Sequence, residues 1–301
     1  MQDTYGPQFK LKFHAQTLSH LASILVLVLA LAGTAAAQAV LVPPQVGPYG
    51  FVLNTTSTYT FAENGAGMLG VFNFDGNGGV SGTYTLELGS GPNKQFPETW
   101  TGSFTGTYIP NPDDPNGVTW KVTIALDQGG VVLTLVMVVD DHGRGLQLDL
   151  TGCSGPICNL TGKVVSGFGE GQFGGSVHPL HTGVLSSSYG MQSTKSSPSP
   201  QTSVEVWTFD GAGGVTFYGV AVGPPADPLQ TPNLSNVQYG NLNGFYTVNP
   251  DGTGTITIPP LFPGGNIHTW AFVMTNGHTG LLALQTNRPG WGVVYLTGRL
   301  Q

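Results

Sequence analysis

The feature that most constrains this chain is a long internal duplication. Phe72-Asn-Phe-Asp-Gly-Asn-Gly-Gly-Val80 returns as Trp207-Thr-Phe-Asp-Gly-Ala-Gly-Gly-Val215, and Gly106-Thr-Tyr-Ile-Pro-Asn-Pro-Asp113 as Gly244-Phe-Tyr-Thr-Val-Asn-Pro-Asp251. Tyr49-Gly50 matches Tyr189-Gly190, and Leu160-Thr-Gly-Lys163 matches Leu296-Thr-Gly-Arg299. A period far beyond the ~20–50 residues of solenoids and propellers argues for two complete folding units. The length of 301 residues agrees with two domains.

Each copy reads as short strands between tight turns. Val118, Trp120, Val122 and Ile124 alternate with Thr119, Lys121 and Thr123, and Ile256 and Ile258 alternate with Thr255 and Thr257. One apolar and one polar face is the pattern of an antiparallel sheet wet on one side. The breaks include Asp75-Gly-Asn-Gly-Gly79, Gln128-Gly-Gly130, Asp141-His-Gly143, Asp210-Gly-Ala-Gly-Gly214 and Asn276-Gly277. Asp-Gly and Asn-Gly supply the positive φ that hairpin turns need. The 46 glycines and 22 prolines are therefore punctuation, since no Gly-X-Y period exists and 40% hydrophobic residues suffice for cores.

In the first copy the strands are expected near 49–60, 67–75, 79–89, 99–109, 118–126, 131–139, 145–151 and 158–165. Eight sequential antiparallel strands can close and so remove the exposed edges of an open sheet. The reading is all-β: two tandem antiparallel up-and-down barrels of about eight strands each, over 38–175 and 189–301. A Gly-, Ser- and Pro-rich stretch from about Ser166 to Ser188 contains the linker, 176–188. A two-sheet sandwich is the alternative fold.

Lys10 and Lys12 precede the apolar run Leu21–Ala32, and Gly33-Thr-Ala-Ala-Ala-Gln38 follows. Basic, apolar and small-residue segments in that order predict a cleaved secretory signal over 1–37, cut after Ala37. A membrane anchor would need ~20 apolar residues. The expected location is extracellular, at the cell surface or in the periplasm. The net charge of −7 and the absence of a basic cluster leave no footprint for nucleic acid.

The two cysteines, Cys153 and Cys158, flank Gly155-Pro156. In an exported chain a disulfide is the default. A zinc site would need further ligands nearby, and redox chemistry the Cys-x-x-Cys spacing.

These repeated Phe-x-Phe-Asp-Gly-x-Gly and Gly-x-Tyr-x-x-Asn-x-Asp-Gly segments resemble uncharacterised secreted proteins of environmental bacteria. The resemblance implies no known activity. The expected strand order is also similar to that of lipocalins and avidin, but Gly47-Pro-Tyr49 stands where lipocalins carry Gly-x-Trp, which leaves a lipophile-carrier function unsupported.

Neither copy contains a catalytic or cofactor motif, and no cofactor is expected. Asp75 and Asp210 suit calcium in principle, yet one carboxylate per turn cannot supply six to eight oxygens, and capping of its own turn explains each. Asp113-Asp114-Pro-Asn116 is a denser oxygen cluster that also reads as a turn. His142 and His278 sit at matching hairpin tips, where a solvated turn residue is the simpler role. His178 and His181 are separated by Pro179 in the linker. Glu63, Glu87, Glu98, Glu170 and Glu205 share no pattern between the copies. Of Trp100, Trp120, Trp207, Trp270 and Trp291, most should be core. Trp120, Trp207, Trp270, His142 and His278 are the candidates for ligand contact. The leading functional reading is an exported, non-catalytic protein with a structural or interaction role. The alternative is a barrel binding a small apolar or glycan ligand in its mouth. An enzyme, or a single outer-membrane barrel of about sixteen strands, ranks below both.

Overall fold

The computed structural model describes residues 41–56, 66–88, 98–140, 142–155, 158, 164–172, 180–195, 201–222, 237–260, 267–286 and 294–300. The expected signal segment lies outside them. The first barrel comprises β1 (Gly47–Thr56), β2 (Ala66–Phe74), β3 (Gly79–Leu88), β4 (Glu98–Pro110), β5 (Trp120–Leu126), β6 (Val132–Val139), β7 (Gly145–Ser154) and β8 (Val164–Gly171). The second comprises β9 (Ser188–Lys195), β10 (Gln201–Phe209), β11 (Gly214–Val222), β12 (Val237–Val248), β13 (Thr253–Ile258), β14 (His268–Thr275), β15 (Gly280–Gln285) and β16 (Val294–Leu300). Every neighbour in sequence pairs antiparallel, β8 returns to β1, and β16 returns to β9. Two separate closures replace the single sixteen-strand barrel. Among the described residues the only helical pieces are two 3-10 turns, Thr182–Val184 and Asn276–His278, and no helix is long and apolar enough to cross a membrane.

The duplicated Asp-Gly segments build the same turn twice. Asp75 Oδ1 accepts the backbone N–H groups of Asn77 at 2.7 Å and Gly79 at 2.8 Å. Asp210 Oδ1 accepts those of Ala212 at 2.7 Å and Gly214 at 2.8 Å. Gly76 and Gly211 then turn at φ +78° and +74°, a region open to glycine at little cost. The carboxylates are engaged by their own loops.

Side chains alternate across each strand, so every second residue enters the barrel. Phe51, Phe72 and Phe104 stack in the first interior, with ring centroids 4.0 Å apart for Phe51–Phe72 and 5.3 Å for Phe72–Phe104. Trp207 takes the place of Phe72 in the second, packed edge-on against Phe217 and Trp270. Glycine is required where a neighbouring backbone approaches closely. A Cβ at Gly82 would stand 1.7 Å from the Val71 carbonyl oxygen.

Four strands are apolar on both faces. Tyr49, Phe51 and Leu53 of β1 face inward, while Val52 points out and is equally buried. Val52, Leu69 and Val71 of β1 and β2 pack against Ala271, Val273, Leu282 and Leu284 of β14 and β15, forming a third core between the barrels. Continuous apolar runs such as Trp270-Ala-Phe-Val-Met274 are the sequence mark of strands covered on both sides. At one end of this seam Arg299 donates from both terminal nitrogens to Glu170, and Thr275 Oγ1 donates to Glu170 at 3.0 Å. At the other, Thr99 of β4 reaches the Thr286 carbonyl at 2.7 Å. The barrels therefore lie side by side with corresponding ends pointing the same way.

The closing strand of the first barrel corrects the sequence reading. It runs Val164–Gly171 instead of 158–165, and so takes up Ser166 and Phe168 from the stretch read as the beginning of the linker. Leu160–Lys163, matched above to Leu296–Arg299, lies outside the described residues. In the register of the two sheets the counterpart of Arg299 is Glu170: each pairs with the glycine after the conserved tyrosine, Gly190 or Gly50. The additional residues of the cysteine loop displace the strand, and local similarity cannot see that displacement.

Candidate functional site

Each barrel is closed at one end by the chain that leads into it. In the first, the Val42 carbonyl accepts the Trp120 indole N–H at 2.8 Å, and the Gln45 backbone N–H donates to the Tyr49 hydroxyl at 2.7 Å. Tyr49 donates in turn to the Gly143 carbonyl. In the second, Leu185 is fully buried, and the Tyr246 hydroxyl donates to its carbonyl at 2.7 Å. Tyr189 donates to the His278 carbonyl at 2.5 Å. Burial pushes the phenols of Tyr49 and Tyr189 up to about 12, so both remain donors at physiological pH.

The opposite ends are where the barrels differ. The mouth of the first holds a cleft of about 60 Å³ lined by Leu53, Met68, Leu86, Leu126, Leu133 and Val165, with Cys153 on its rim. Cys153 and Cys158 are bonded, their Cα atoms 5.4 Å apart, which ties the end of β7 to the following loop. In the same barrel, the buried Tyr84 donates to the exposed Asp127, just past the end of β5, at 3.2 Å, and burial raises this phenol to about 12. The Ser103 backbone N–H, at 2.8 Å, leads the hydrogen bonds that hold the Asp127 carboxyl below its usual range.

Strand register places four residues of the second barrel at the positions of four in the first. Glu205 and Gly70 pair with the residues two beyond the conserved tyrosines, Met191 and Phe51. Trp270 and Leu135 pair with the equivalent Ile256 and Val122, and His268 and Leu133 with Ile258 and Ile124. Gln285 and Leu150 pair with Trp270 and Leu135. The apolar mouth of one barrel is thus a polar mouth in the other. Gln285 Nε2 lies 2.9 Å from His268 Nδ1, and the Trp207 indole donates to Glu205 Oε2 at 2.7 Å. The Trp270 indole nitrogen is buried and meets no acceptor among the described residues; an unmet buried donor costs about 1–3 kcal/mol.

Of the sequence candidates, Trp207 and Trp270 come together, with ring centroids 5.7 Å apart. Trp120 belongs to the closed end of the first barrel. His142 and His278 lie at that end of their respective barrels, on hairpin tips, where their backbone carbonyls accept from Gln45 and Tyr189. Asp114 accepts from the N–H groups of Asn116, Val118 and Thr119, which hold its carboxyl below its usual range. Glu63, Glu98, Trp291 and His178 fall outside the described residues or their described side chains, while His181 caps the 3-10 turn by accepting from the Gly183 N–H. Sequence reasoning missed Leu133, Leu150, His268 and Gln285, which become informative only when the copies are aligned by strand register. It also missed Glu87, buried on the outer face of β3. Among the described residues no three His, Cys, Asp or Glu side chains gather into a metal-binding group. No family model and no curated protein matches the chain.

Proposed function

We propose that this is an exported, non-catalytic binding protein that takes a small apolar ligand, or the end of an apolar chain, into the mouth of its first barrel. The observation that carries this reading is an apolar cleft facing out from a barrel closed at its other end. Such a mouth offers burial at about 25 cal/mol per Å², and its described lining residues carry no charged or hydroxyl side chain. The disulfide beside it holds the rim and suits an oxidising compartment. The small volume favours a methyl-terminated segment over a whole steroid or haem.

Native mass spectrometry of the secreted protein, with titration of the fluorescent linear fatty acid cis-parinaric acid, tests the proposal. Uptake of one equivalent, lost in Leu88→Asp at the rim, is expected. No co-purified ligand and no fluorophore uptake would overturn it. N-terminal sequencing of the secreted form should begin at Gln38. An interaction role has its own support in Val204, Tyr218 and Phe245, which are 69%, 53% and 68% exposed on the second barrel. Concentration-dependent association, abolished by Phe245→Ser, would favour that role.

A further inference from the structure

We infer that the mouth of the second barrel is a separate binding site for a small, neutral, hydroxyl-bearing ligand of the saccharide or polyol class. The first barrel acts as an internal control. With the same strand order and register it fills these positions with Gly70, Leu133, Leu135 and Leu150, so the fold itself does not call for polar residues there. The second barrel places Glu205, His268, Trp270 and Gln285 at the same points. Gln285 is 4% exposed and Trp270 9%, and polar groups enclosed in this way persist where they are satisfied or used.

The hydrogen-bonding pattern defines the ligand. The Trp270 indole N–H is a donor lacking an acceptor among the described residues, so the ligand must bring a lone pair. The Glu205 carboxylate, bonded to Trp207 at 2.7 Å, can only accept. A hydroxyl group suits both residues, because it accepts from an indole and donates to a carboxylate. An anion would be repelled by Glu205, and a cation would leave Trp270 unmet. Trp207 and Trp270 add apolar ring surface for the carbon face of such a ligand, and His268 and Gln285 lie beside Trp270 in the register of β14 and β15. This site is independent of the apolar cleft, and either can fail without the other.

The test uses full-length protein carrying 15N-labelled indoles, with the Trp270 resonance assigned by its loss in Trp270→Phe. Glucose, N-acetylglucosamine and myo-inositol are titrated to millimolar concentration. The expected result is a saturable downfield shift of the Trp270 indole with at least one probe. Trp270→Phe, which keeps the ring and removes the donor, should weaken that affinity about tenfold or more, read from the shifts of the other indoles. Combining His268→Leu with Gln285→Leu, which copies the first barrel, should abolish the response while the melting temperature holds or rises. Uptake of cis-parinaric acid by the first barrel should be unchanged in all of these variants. No Trp270 shift with any probe, or equal affinity in Trp270→Phe, would overturn the assignment. So would an indole that contacts only a resident water and ignores the probes.

Discussion

Glu87 should make the stability of this protein fall as pH rises through neutrality. Its side chain is 4% exposed, and burial pushes its carboxyl from an ordinary 4.5 up to about 8. Hydrogen counting agrees. The Thr99 hydroxyl has one hydrogen but lies 2.5 Å from Glu87 Oε2 and 2.7 Å from the Thr286 carbonyl oxygen. It can donate to one of them, and a protonated Glu87 supplies the second hydrogen by donating to Thr99. The sign follows from proton binding. Between about 4.5 and about 8 the folded state keeps this proton and the unfolded chain does not, so stability declines with rising pH across that window and levels off above it. At about 1.4 kcal/mol per pH unit, the whole window amounts to roughly 5 kcal/mol. Relaxation of the seam between the barrels would make the measured loss smaller than this. Glu87→Gln keeps the shape and supplies a permanent N–H donor. Urea denaturation from about pH 4 to about pH 9 should show the wild type losing stability where the variant stays level. The two should be nearly equal at the acidic end, with the variant stronger by several kcal/mol at the alkaline end. Parallel pH curves, or a variant weaker than wild type at about pH 9, would refute the protonated-seam argument.

Residues 38–175 and 182–301, expressed separately, should each show β-type circular dichroism, because each barrel completes its own hydrogen bonding. Each should also bind an apolar dye and associate with the other through the exposed seam residues, Val52 and Val71 on one side and Val273 and Leu284 on the other. Unfolded halves, or folded halves that ignore one another, would contradict this. Asp75→Ala and Asp210→Ala each remove two hydrogen bonds to turn N–H groups and should each shift the midpoint of chemical denaturation downward. Shifts near zero would show that water replaces the carboxylate. The unreduced, denatured protein should yield no reactive thiol, since Cys153 and Cys158 are paired; two thiols would place the chain in a reducing compartment.

The local features of this protein are written in its sequence. Asp-Gly-x-Gly-Gly turns close through bonds from Asp75 and Asp210 to residues two and four positions on, so a short window contains everything needed to recognise them. Period-2 alternation identifies the strands, and short hairpin connections between eight of them imply closure, because an open sheet would leave two unpaired edges. What lies across space follows different rules. The six-residue displacement of β8 depends on which register seals the barrel against β1. The seam depends on which outer faces are apolar, so Val52 and Val273 meet although far apart in the chain. Glu87 is an unremarkable strand carboxylate until Thr99 and the Thr286 carbonyl gather beside it. The contrast between Leu133 and Leu150 in one mouth and His268 and Gln285 in the other belongs to the same class. Turn chemistry acts through bonds between near neighbours, whereas burial and register are properties of closed surfaces, and those exist only once the barrels have formed.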